Sequence, residues 1–134
     1  MALMSVTRLR IRSVRFLPAF LFRSGQSIRQ AGRSEGNLGV DVLRDADGVF
    51  WTRTAWTDEV AMRAYMMAGA HKTVMPSLMK WCDEASVVHW VTTSDELPTW
   101  EEAYERMIAE GRPSRLKRET SRHRSMAFPP PVVR

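Results

Sequence analysis

Asp45-Ala46-Asp47-Gly48 lies between two alternating runs, and this turn constrains the fold more than any other feature of the chain. Asp-Gly accepts the positive φ values of a tight hairpin turn, so Leu38–Arg44 and Val49–Trp56 are expected to pair as antiparallel strands. Helical patterns flank the hairpin on both sides. Upstream, Leu17 to about Ala31 reads as a helix, with Phe20, Leu21 and Ile28 as its apolar stripe and Gly32 and Gly36 marking its end. Downstream, Thr57 is expected to cap a helix with Asp58 and Glu59 in its first turn, where carboxylates suit the positive end of the helix. Ala61, Ala64, Tyr65 and Ala68 form the expected inner stripe, with Gly69 as the stop. A second helical piece runs to Trp81, with Pro76 near its start or at a kink.

Two further strands complete the pattern. In Val6–Ser13, Leu9 and Ile11 point to one face and Arg8, Arg10 and Arg12 to the other, where they need solvent or acidic partners. Ser86–Thr92 alternates in the same way. Thr99 with Glu102 forms a capping-box pattern before a last helix carrying Trp100, Ala103, Tyr104, Met107 and Ile108, stopped by Gly111 and Pro113. The order β-α-β-β-α-β plus a helix predicts an α+β, ferredoxin-like fold: a four-stranded antiparallel sheet with helices on one face. The other face then needs a cover, and a second copy of the chain is the obvious one.

Charge divides the chain into three. Residues 1–34 carry seven arginines and no acid, residues 35–111 six basic and fourteen acidic residues, and residues 112–134 seven basic residues with Glu119. The acidic centre argues against nucleic acid as the partner of the folded core, and leaves two solvated basic ends. Residues 1–111 are read as one domain, and 112–134 as a basic, proline-ended tail that is loose or ordered only against a partner. The apolar run 16–22 is too short to span a bilayer and contains Pro18, so no membrane is expected. A single cysteine, Cys82, excludes an internal disulfide and fits the cytoplasm. Its acidic neighbours Asp83 and Glu84 disfavour the thiolate, so it is not read as a nucleophile.

The run Phe50-Trp51-Thr52-x-Thr54-x-Trp56, a helix, Gly69-Ala70-His71, Met75, and Trp81 through His89-Trp90 resembles an uncharacterised bacterial family of the dimeric αβ-barrel, antibiotic-biosynthesis-monooxygenase-like superfamily. It is also similar to spheroidene monooxygenase, a haem-associated carotenoid oxygenase. The resemblance spans roughly residues 5–92. It implies a homodimer with sheets packed face to face, and in each subunit a pocket between sheet and helices. It also implies a monooxygenase-like enzyme for a small hydrophobic or polycyclic substrate, with a non-catalytic binding or structural module as the alternative. His71 matches the helix-borne histidine that ligates iron in the haem-degrading branch, so the cofactor is either none or haem. The asparagine which that branch keeps on strand one is missing here, as is its tryptophan in the helix before the histidine. Ring-ruffling haem degradation is therefore not expected.

From the residues themselves, His71 follows a Gly-Ala break and can aim an imidazole at a pocket, as a proton donor or a ligand, or else simply cap a helix end. Trp56, Trp51, Met66, Met75 and Arg53 are the candidate pocket residues. Trp51 and Trp56 have opposite parity on their strand, so only one of them can face the pocket. His89 is expected in the core with one nitrogen satisfied, and His123 in solvent.

Overall fold

A computed structural model describes residues 1–133. The chain runs β1 (Ala2–Ile11), a 3-10 turn (Val14–Phe16), α1 (Leu17–Arg33), β2 (Asn37–Arg44), β3 (Val49–Trp56), α2 (Glu59–Met66), α3 (Gly69–Trp81), β4 (Cys82–Thr92), α4 (Trp100–Glu110) and β5 (Arg112–Pro113). The sheet is antiparallel, in the order β2-β3-β1-β4-β5. The first four strands have the ferredoxin-like arrangement, and β5 adds a fifth where four were expected. The addition is small: Arg112 and Pro113 pair with Val87 and Ser86 as the chain leaves α4.

The hairpin forms as its turn chemistry requires. Asp47 and Gly48 both have positive φ, at 60° and 76°, and the Asp45 amide donates to the Val49 carbonyl at 2.8 Å. Thr99 caps α4 by accepting from the Glu102 amide at 3.1 Å. Other signals shift by a residue or more. The cap of α2 is Asp58 rather than Thr57, accepting from the Ala61 amide at 2.8 Å. Its buried stripe is Met62 with half-buried Tyr65 and Met66, and Ala64 and Ala68 face solvent. On α1, Phe20, Ser27 and Ala31 are buried and Leu21 is exposed. Pro76 lies inside α3 rather than at its start.

The two sheet faces are covered differently. On the first face, Leu3, Trp56, Phe50, Leu9 and Ile11 pack against α1, α2 and α3 through Phe20, Ala31, Met62, Tyr65 and Leu78. On the second face, Met4, Val6, Trp51, Val88 and Trp90 pack against Trp100, Ala103 and Met107 of α4 and against Phe128. Helices therefore cover both faces, not one. α4 crosses to the far side because its apolar stripe matches the second face. The tail is not loose either: Phe128 is buried, and the Tyr104 hydroxyl donates to its carbonyl at 3.0 Å. A buried aromatic ring contributes enough to order a segment whose composition alone suggests disorder.

The tail also closes a buried charge network. The Arg8 guanidinium donates to Glu84 at 2.6 Å, and Arg122 and Thr120 donate to the other oxygen of the same carboxylate at 2.8 and 2.9 Å. Arg8 also stacks on the Phe128 ring, with its guanidinium carbon 4.0 Å from the centroid. Burial pushes the Glu84 carboxyl up, but the hydrogen bonds from Arg122, Arg8 and Thr120 outweigh it and hold the pKa at about 2. Arg10 donates to Asp83 at 2.6 Å. Two arginines of the β1 row thus have acidic partners, and Arg12 donates to the Lys80 carbonyl. His123, expected in solvent, is buried. Its Nε2–H donates to the Ser114 carbonyl at 2.7 Å, and its Nδ1 accepts from the Ala85 amide at 3.4 Å.

Candidate functional site

The polar content of the first face sits between its two apolar clusters. Strand parity places Ser5 and Thr7 of β1, Thr52 and Thr54 of β3 and His89 of β4 on that face, and register sets Ser5 opposite both Thr54 and His89. A hydrogen-bonded chain starts there. The Trp56 indole N–H donates to the Thr54 hydroxyl at 2.9 Å, and that hydroxyl donates to the Ser5 carbonyl at 3.4 Å. Trp56 stacks on Tyr65 at a centroid distance of 5.1 Å, and Tyr65 meets the His71 ring at 4.7 Å. The Tyr65 hydroxyl lies 2.8 Å from the Ser27 hydroxyl and donates to the Ser27 carbonyl at 3.2 Å. Burial raises the Tyr65 pKa against the opposing Ser27 bond, so the phenol stays protonated.

His71 owes its position to the break between α2 and α3. Gly69 begins α3 with φ +54°, a left-handed value that favours glycine. Gln30 of α1 bridges this break. Its amide nitrogen donates to the carbonyls of Tyr65 and Ala68 at 3.2 and 2.8 Å, and its oxygen accepts from the His71 amide at 2.8 Å. One side chain thus satisfies the end of one helix and the start of the next. The imidazole Nδ1 lies 3.2 Å from the Met66 carbonyl. A carbonyl only accepts, so Nδ1 carries the proton and Nε2 keeps the lone pair. No hydrogen bond to Nε2 occurs among the described residues. Burial lowers the His71 pKa and so favours the neutral ring, against the opposing Met66 bond.

The sheet divides the residues singled out in the sequence. His71, Trp56 and Met66 share the first face, with Met66 packed on the Trp56 cluster. Trp51 and Arg53 lie on the second. Trp51 is fully buried and donates to Asp45 at 3.2 Å, while Arg53 binds Asp41 at 2.6 Å and the Pro98 carbonyl and stacks on Trp100. Met75 is exposed on α3. His89 is half-buried on the first face, and neither of its ring nitrogens is hydrogen-bonded among the described residues, against the expectation of one satisfied nitrogen. Burial and the Arg112 charge lower its pKa.

Tyr65, Ser27, Gln30 and the rows of hydroxyl residues join the site only in the folded chain. Ser5, Thr7, Thr52 and Thr54 were detectable in principle, as polar residues at inward parity on two neighbouring strands. Gln30 carried no such signal, because its role depends on a helix 35 or more residues away.

Among the described residues, no group of three His, Cys, Asp or Glu side chains gathers as a metal site. The free Nε2 is a suitable single donor for haem iron. A porphyrin also needs an apolar slot beside that nitrogen, and His71 lines neither of two grooves among the described residues, which adjoin Arg12 and Ser114. No helix among the described residues is long and apolar enough to cross a membrane.

Residues 15–113 match the model of a family described as a domain of unknown function (DUF3291). No curated protein matches the chain. Among solved structures, SnoaB, a cofactor-independent oxygenase from Streptomyces nogalater, is similar at 17% identity with a TM-score of 0.57, covering 69% of this chain and 94% of its own. An antibiotic biosynthesis monooxygenase is similar at 15% identity and a TM-score of 0.61, covering 69% and 99%. A conserved protein from Methanosarcina mazei Go1 gives 16% and 0.62, covering 69% and 94%. At these identities the likeness shows the fold.

Proposed function

The chain belongs to the DUF3291 family and has the antibiotic-biosynthesis-monooxygenase-like fold; from that premise we propose that it is a monooxygenase-like enzyme acting on a small hydrophobic or polycyclic substrate. The observation that carries this reading is the free Nε2 of His71, in a ring whose tautomer and position are fixed by Met66, Gln30 and Tyr65. A neutral imidazole so held can take a proton from an acidic O–H or C–H of a bound aromatic ring. The electron-rich hydroxylated ring then supplies all four electrons itself: a ring C–H becomes a carbonyl carrying one atom of dioxygen, the phenol becomes the second carbonyl of a quinone, and the other oxygen atom leaves as water with the two hydrogens lost. Half-buried Tyr65, beside His71, provides the flat surface that orients such a ring, and the fully buried Trp56 stacks behind it as packing wall with Met66. His89, on the same face, is a second candidate for moving a proton. The working unit in this reading is a homodimer, though not one with bare sheets packed face to face, because α4 and Phe128 already cover the second face. Burial and Asp83 push the Cys82 thiol up to about 12, which removes it as a nucleophile, and with no second cysteine to pair with it the cytoplasm is the proposed place.

A non-catalytic ligand-binding or structural module is the second reading. It is favoured by the internal hydrogen bonds already made by Trp56, Tyr65 and His71 Nδ1. Oxygen uptake with a panel of hydroxylated polycyclic aromatics separates the two. The enzyme reading expects uptake that falls about 100-fold or more in His71→Ala. Ligand binding with no uptake, unchanged in His71→Ala, would establish the module instead. Light scattering at micromolar concentration checks the dimer, and a monomeric mass overturns it.

A further inference from the structure

Two basic stretches from opposite ends of the sequence meet in one groove. Arg12 and Arg15 come from the end of β1 and the 3-10 turn, Lys80 and Trp81 from the last turn of α3, and Lys117 and Arg118 from the tail. With Phe16 they line an open groove of about 360 Å³. None of these five cations makes an ion pair with a described carboxylate. Backbone bonds and ring contacts nevertheless hold the segments together. Arg12 donates through Nε to the Lys80 carbonyl at 2.6 Å and through its amide to the Trp81 carbonyl at 2.8 Å. The guanidinium carbons of Arg12 and Arg15 lie 4.6 and 4.7 Å from the centroid of the Phe16 ring. The Lys117 amide donates to the Met79 carbonyl at 3.4 Å, tying the tail to α3.

Arg12 and Arg15 stack on one ring, and like charges gathered along one groove repel unless an anion joins them. Phosphate oxygens suit such a cluster, since guanidinium and ammonium groups both donate to them. Trp81 is half-buried and lines the same groove, so a planar ring can rest on it while the phosphates reach the cations. The groove is compact, at about 360 Å³, within the usual range of small-molecule sites. That favours a small ligand over a polymer. We propose that this groove binds a phosphorylated small molecule with a planar ring, of the nucleoside polyphosphate class. The site is independent of the His71 reading. It lies at the other end of α3, nine residues or about 14 Å further along the helix.

Titration of the full chain with adenosine triphosphate and with inorganic tripolyphosphate, at about 0.15 M salt, tests it. Calorimetry gives the affinity and tryptophan fluorescence reports on Trp81. The nucleotide is expected to bind, to change the fluorescence and to outcompete tripolyphosphate. The exposed triple variant Arg15→Ala, Lys117→Ala, Arg118→Ala should weaken binding at least tenfold, and Lys117→Glu alone at least threefold, with unchanged circular dichroism. No nucleotide binding at this salt, or binding undiminished in Lys117→Glu and the triple variant, overturns the proposal. Tripolyphosphate binding as tightly as the nucleotide overturns the role of Trp81. Capture of a single-stranded oligonucleotide with the nucleotide inert replaces the small ligand by a polymer.

Discussion

The two faces of the sheet carry the chain's most unusual polar groups and treat them in opposite ways. On the second face, Arg8 and Glu84 are almost fully buried, and the Glu84 carboxylate is matched by Arg8, Arg122 and Thr120. On the first face, the His71 imidazole is held as firmly by Gln30, Met66 and Tyr65, yet Nε2 keeps a free lone pair. Both arrangements constrain a side chain. On the second face every Glu84 oxygen is matched and the leftover atoms, Arg8 Nε and Asp83 Oδ1, are sealed from solvent, so its charges read as structure, whereas the spare nitrogen of the first, on a half-buried ring, reads as chemistry.

Breaking the second face should have the largest effect on stability. Glu84→Gln leaves Arg8 without its counter-charge in the core, and is expected to cost about 3–5 kcal/mol in denaturant unfolding. A loss under about 1 kcal/mol would mean that water reaches Arg8. Phe128→Ala removes the ring that covers Arg8 and Trp51, and should cost about 3 kcal/mol by the same measurement. A truly loose tail would show no change.

Acid should act on the same face. Glu84 titrates at about 2 in the folded chain, below its value when unfolded. Its contribution is therefore complete above the ordinary carboxylate range and is lost as pH falls from about 4.5 toward 2. Thermal unfolding followed by circular dichroism across that window should show the loss, and Glu84→Gln should flatten it.

The first face should respond more weakly in stability and more strongly in function. Gln30→Ala removes three hydrogen bonds at the helix break, and is expected to cost about 1–3 kcal/mol while weakening any His71-dependent activity. His71→Ala should change stability by less than about 1 kcal/mol, since it deletes a half-buried ring with one neutral hydrogen bond. The His71 pKa is lowered, so an activity that uses the neutral ring should persist below the ordinary histidine range as pH falls. A pH–rate profile falling at or above that range would contradict this. If His71→Ala destabilises as much as Glu84→Gln, the contrast between the faces is gone.

Local chemistry explains which features were legible in the sequence. The hairpin, the Thr99 cap and the opposite parity of Trp51 and Trp56 follow from the conformational limits of a few neighbouring residues, and the structure has all three. Those limits act wherever the segment sits. The ferredoxin-like order follows from the same signals in sequence. The site was partly legible. His71 and Trp56 share a face, as parity and the helix break suggested. Trp51, Arg53 and Met75 do not join them, because one sheet layer and the outward side of α3 intervene.

What the tertiary structure alone decided rests on long-range partners. The second face accepts α4 and Phe128 because an apolar stripe and a buried guanidinium happen to match it, and no local pattern encodes that match. Gln30 bridges a break 35 or more residues away, and the two basic ends converge on one groove. Turns, caps and parity are properties of neighbours along the chain. Charge pairing, face covering and the convergence of distant cations are properties of neighbours in space, and these were supplied only by folding.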